Sequence, residues 1–133
     1  MFGAKTTKPQ SRIDTLVGAG TRIDGDLHFV GGLRIDGQVK GNVVAEDSAG
    51  TLILSEQAVV DGEIRVAHAV INGTVNGPIY GLESVELQPK ANVTGDVHYK
   101  TLEVHLGAIV QGRLVHADAR SENVVALKPA TAD

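Results

Sequence analysis

Few side chains in this sequence are equipped for chemistry. The five histidines are His28, His68, His98, His105 and His116. No two of them stand at i, i+4 spacing or at one repeat position, so no metal site is expected and surface placement is the reading for all five. Asp24, Asp36 and Asp61 each precede a glycine. Stacked carboxylates of that kind would suit acid–base work, but an Asp-Gly pair is more simply a corner, where glycine accepts backbone angles that a side chain resists. His105 with Ser84 or Ser121 forms no recognisable nucleophile arrangement. Gly18-Ala19-Gly20 lacks the further glycine and the helix of a phosphate-cradling loop. With no cysteine, disulfides, thiolate zinc sites and thiol nucleophiles drop out, in keeping with a reducing compartment. No catalytic residue, no metal ligand and no cofactor site is expected, and the chain does not read as an enzyme.

One cluster suggests a surface rather than a reaction. Met1, Phe2, Lys5 and Lys8 open the chain, and residues 1–13 carry Lys5, Lys8 and Arg12 with no acid. An apolar tip with nearby cations suits an anionic membrane surface. Burying a Phe contributes about 1.5–3 kcal/mol and each Lys about 1 kcal/mol, so one chain would bind weakly and an array strongly. Residues 14–116 hold 7 basic and 13 acidic side chains. An acidic body with 3% aromatics excludes the basic, base-stacking surface that nucleic acid needs. No apolar run approaches the roughly 18–20 residues of a membrane-spanning helix, and no secretory signal is evident. The cytoplasm is the expected location.

What must position these groups is a repeat. The segments from Thr51 (TLILSEQAVVDGEI), Ser84 (SVELQPKANVTGDV) and Thr101 (TLEVHLGAIVQGRL) superpose without a gap. Apolar pairs recur at Leu52 and Leu54, Val85 and Leu87, Leu102 and Val104. They are followed by Ala58, Ala91 and Ala108; Val60, Val93 and Val110; Gly62, Gly95 and Gly112; Ile64, Val97 and Leu114. A second template, Leu33-x-Ile35-x-Gly37-x-Val39-x-Gly41-x-Val43, returns as Ala69, Ile71, Gly73, Val75, Gly77 and Ile79. Gly20 to Leu27 matches Gly107 to Leu114.

Units therefore run over about 16–32, 33–50, 51–68, 69–83, 84–100 and 101–117. Within each, apolar and polar residues alternate with the period of a strand, in runs of three to five residues broken by Gly, Asn or Asp. Three short strands per unit make a three-sided coil, and six coils stacked at about 4.8 Å make a rod about 25–30 Å long. The predicted fold is an all-β parallel β-helix over 14–117, flanked by short flexible tails at 1–13 and 118–133.

The order of these units, with Leu33 to Val43 followed by the Ala-x-Val-x-Gly units, resembles the bactofilins, as does the opening Thr15-Leu16-Val17-Gly18-Ala19-Gly20-Thr21. The resemblance implies a right-handed β-helix that assembles end to end, without nucleotide, into non-polar filaments. It further implies a scaffold for cell shape and cell-wall enzymes at the inner face of the cytoplasmic membrane, with Met1, Phe2, Lys5 and Lys8 as the membrane-targeting start.

Solenoid ends expose unpaired strand edges and an uncovered apolar layer. The expected polymer interface is Leu16, Val17, Ile23 and Leu27 at one end, and Leu102, Val104, Val110 and Leu114 at the other. The alternatives are a monomeric adaptor and a carbohydrate-active β-helix; the second wants long loops that wall off a groove, and connections here are short.

Overall fold

Alternation of apolar and polar residues sends every second side chain inward, and glycine-marked corners turn the chain before any strand grows long. A computed structural model describes residues 12–117 and follows this rule. The first coil is β1 (Thr15–Val17), β2 (Arg22–Asp24) and β3 (Leu27–Phe29). The second is β4 (Gly32–Ile35), β5 (Gln38–Lys40) and β6 (Val43–Ala45). Next come β7 (Thr51–Leu54), β8 (Val59–Asp61) and β9 (Ile64–Ile71), then β10 (Thr74–Asn76) and β11 (Ile79–Leu87). The last are β12 (Asn92–Thr94), β13 (Val97–Val104), β14 (Ile109–Gln111) and β15 (Leu114–His116). Every pairing is parallel, each coil lying on the one before. The result is a parallel β-solenoid of about six turns.

Register places like residues over one another. One inward column runs Val17, Ile35, Leu54, Ile71, Leu87, Val104. A second runs Ile23, Val39, Val60, Val75, Val93, Val110. A third runs Leu27, Val43, Ile64, Ile79, Val97, Leu114. The members from coils two to five are all 0% exposed. Side chains of this size each contribute roughly 1.5–3 kcal/mol when fully buried, so the columns hold the stack.

At one corner, glycines replace the column of side chains. Gly95 has φ +145°, and a methyl group there would meet the Gly77 carbonyl oxygen at 2.5 Å. Only a residue without Cβ lets successive coils approach so closely. Beside this corner, side chains tie coil to coil: Asp26 accepts from the Asn42 N–H, Asn42 from the Glu63 N–H, and Asp96 from the Arg113 N–H, each at 2.9 Å.

Two features depart from the sequence pattern. β9, β11 and β13 are 8, 9 and 8 residues long rather than three to five. They stay extended through a glycine-poor corner, so two sides of the coil read as one strand. Within β11 the register shifts between Gly81 and Ser84, a bulge that leaves Leu82 half exposed.

Candidate assembly interface

Each end of the solenoid is where a column stops. At the first coil, Val17 is buried at 5% exposure and Phe29 at 8%, while Ile23 and Leu27 are half-buried against the core. Leu16 is in register with Arg34 on the outward side of β1 and stands 58% exposed. It therefore extends no inward column. Asp14 braces this coil against the next: its N–H donates to the Gly32 carbonyl at 2.8 Å, and its carboxylate accepts from the Gly32 N–H at 3.0 Å.

The last coil differs. Leu102 and Val110 are half-buried, but Val104 is 50% and Leu114 48% exposed. Their column mates one coil below, Leu87 and Val97, are 0% exposed. β14 and β15 are the edges of their sheets, and among the described residues no strand pairs beyond them. The sequence reasoning missed Leu106, which is 96% exposed at the turn beside this layer. The signal was present: Leu106 fills a template slot held by Glu56 and Pro89 in the other copies. Met1, Phe2, Lys5 and Lys8 lie outside the described residues. Among those residues no helix is long and apolar enough to cross a membrane.

The histidines are not all at the surface. His68 is only 8% exposed, because its strand position falls at the tight corner of β9, with its Nδ1 2.8 Å from the Ser84 hydroxyl oxygen. Burial lowers its pKa below the ordinary 6.5, partly opposed by the Glu83 charge. His98 stacks on Tyr80, with ring centroids 4.4 Å apart. On the Tyr80 side of that stack, the Arg65 guanidinium lies 4.3 Å from the ring centroid.

A second cluster contains a single histidine and so leaves no histidine spacing in the sequence. Glu86 and Glu103 are register partners on β11 and β13. His105 directs Nε2 at both carboxylates, 3.2 Å from Glu86 and 2.8 Å from Glu103. Two acids one residue before Leu87 and Val104, at one template position in consecutive units, were the available clue.

Comparison with known proteins agrees with this architecture. The bactofilin family profile, described as polymer-forming cytoskeletal, matches residues 15–115. The chain is similar to bactofilin BacP of Myxococcus xanthus, 31% identical over 131 residues, covering 98% of this chain and 53% of that protein. It thus spans about half the length of that relative. It is also similar to bactofilin BacO of the same organism, 30% identical over 101 residues, covering 76% of this chain and 78% of that protein. No solved structure matches significantly. A six-turn parallel solenoid that the matched span covers almost end to end fits this result, and the chain belongs to the bactofilin family of polymer-forming cytoskeletal proteins.

Proposed function

We propose that this protein joins end to end, without nucleotide, into non-polar filaments that scaffold cell shape or cell-wall organisation at the inner face of the cytoplasmic membrane. The observation carrying the reading is the half-exposed apolar layer of the last coil, Val104 and Leu114 above fully buried column mates. Two such layers brought together by a two-fold axis would cover each other, an isologous contact that closes on itself. Each Val or Leu so covered contributes about 1.5–3 kcal/mol at most, and the unpaired edges of β14 and β15 would gain partners. The first coil supplies the other joint through the half-buried Ile23 and Leu27, with Leu16 at its outer margin; Val17, already buried, backs this layer rather than joining it. Filaments then display many copies of Met1, Phe2, Lys5 and Lys8, which suits avid attachment to an anionic bilayer. Cell-wall enzymes are the clients such a scaffold would position.

One experiment tests both halves. The full chain, purified without nucleotide, is imaged by electron microscopy and sedimented with and without anionic liposomes, alongside a variant lacking residues 2–8. Filaments that pellet with liposomes, and are released by the deletion, are expected. A monodisperse monomer at high concentration overturns the assembly reading in favour of an adaptor. Unchanged liposome pelleting by the deletion variant overturns the membrane role alone.

A further inference from the structure

The cluster on the outward side of the last two coils is built from groups that differ in kind. Glu86 and Glu103 face each other across the ladder between β11 and β13. Like charges directly opposite in a sheet destabilise it, so something cationic is wanted between them. The group that reaches them is the imidazole of His105, through a single nitrogen within hydrogen-bond distance of both. A neutral imidazole has at most one hydrogen on Nε2 and can satisfy only one carboxylate. The Gln88 amide donates to the same Glu86 oxygen at 3.1 Å and holds it in place.

The backbone beneath is fixed. His105 donates its N–H to the Leu87 carbonyl at 2.9 Å and accepts from the Ala108 N–H at 3.2 Å. One ligand atom from each of Glu86, Glu103 and His105 lies within 4.8 Å of the other two. The two carboxylates are therefore placed by stacked strands, and His105 by a turn whose backbone is hydrogen-bonded to the coil below.

We infer that Glu86, Glu103 and His105 form a binding site for a borderline divalent transition metal ion, with zinc as the representative. One imidazole nitrogen and two carboxylate oxygens are a donor set that such ions accept, whereas a hard ion such as calcium prefers oxygen throughout. The ion takes lone pairs from all three groups and removes the carboxylate repulsion. Because Glu86 lies on β11, Glu103 on β13 and His105 immediately after β13, it cross-links the last coil to the one below, beside the apolar layer that Val104 contributes. The site does not depend on the filament reading.

Zinc chloride titrated calorimetrically into the full-length protein, with thermal melts in parallel, provides the test. One saturable zinc per chain and a raised melting temperature are expected. Both should be lost in His105→Gln and in Glu103→Gln, and Gln88→Ala should weaken binding about tenfold, as for other groups that orient a metal ligand. His98→Gln and His116→Gln should bind as the parent does. Absence of saturable binding overturns the proposal. So does equal binding by His105→Gln, or loss of binding in His98→Gln or His116→Gln, which would put zinc on one of those histidines instead.

Discussion

The two ends of the rod carry the same columns and expose them differently. Val17 and Val104 terminate one column, yet the first is 5% and the second 50% exposed. Leu27 and Leu114 terminate another, half-buried at the first coil and 48% exposed at the last. Residue type does not explain this, since valine is matched with valine and leucine with leucine. The lesson is that an apolar column predicts where a surface begins, while its cover decides what that surface is free to do.

The largest expected effect separates the ends by charge. Val17→Arg places a cation where the side chain is already buried and should cost several kcal/mol of stability, as uncompensated buried charges do. Leu114→Arg replaces a side chain that is already 48% exposed at the end of its column and should cost only about 1 kcal/mol of stability, while abolishing sedimentable polymer. Full-length polymers from Leu114→Arg would remove the last coil from the joint.

A smaller effect asks how the ends meet. Within the rod, a methyl group added at a corner glycine points at the carbonyl of the preceding coil, as at Gly95 over Gly77. Gly25 begins this column, and a methyl group there meets nothing within 4 Å. Its φ of +129° alone should make Gly25→Ala cost about 1 kcal/mol. A head-to-tail joint would set that methyl group against the neighbour's Gly112 corner and block growth. A two-fold joint would not continue the column. Persistent filaments from Gly25→Ala are expected, and their loss without unfolding would argue for polar polymers.

The smallest effect concerns the coil-to-coil ties. Asp96 is held below the ordinary carboxylate value of 3.8, first by the Arg113 N–H and then by the Arg113 side chain at 3.1 Å. A folded-state pKa below the unfolded one means the tie contributes fully above that ordinary value and is lost as pH falls through the lowered one. Amide exchange at Arg113 should accelerate over that acid window. Asp96→Asn should remove the pH dependence, and the Asn42 amide, held by Asp26 at the other end, should not respond to this substitution.

Much of the fold was legible because register repeats sequence. The template that superposed Val60 on Val93 and Val110 is the column that the strands build, and Leu33 does lie under Leu52 and Ala69. The long strands were not legible, since no glycine or proline separates Val66 from His68 or Tyr99 from Thr101. The end layers were legible as lists of apolar residues. Their unequal exposure was not, because burial depends on what lies above a residue as much as on the residue. Leu16 illustrates the limit: it is apolar and next to Val17, and alternation turns it outward. The Glu86–Glu103–His105 group was hidden because its members come from two turns of the chain and include a single histidine.

The corner glycines have a consequence for how such a molecule changes in length. Each coil rests on the next through the same missing side chain and the same inward residue classes, so a cut between any two floors of the stack exposes nearly the same pair of surfaces. Whole floors are thereby interchangeable, and a taller or shorter tower needs no new mortar. The surface that would welcome a neighbouring molecule is the surface on which the protein already stacks upon itself.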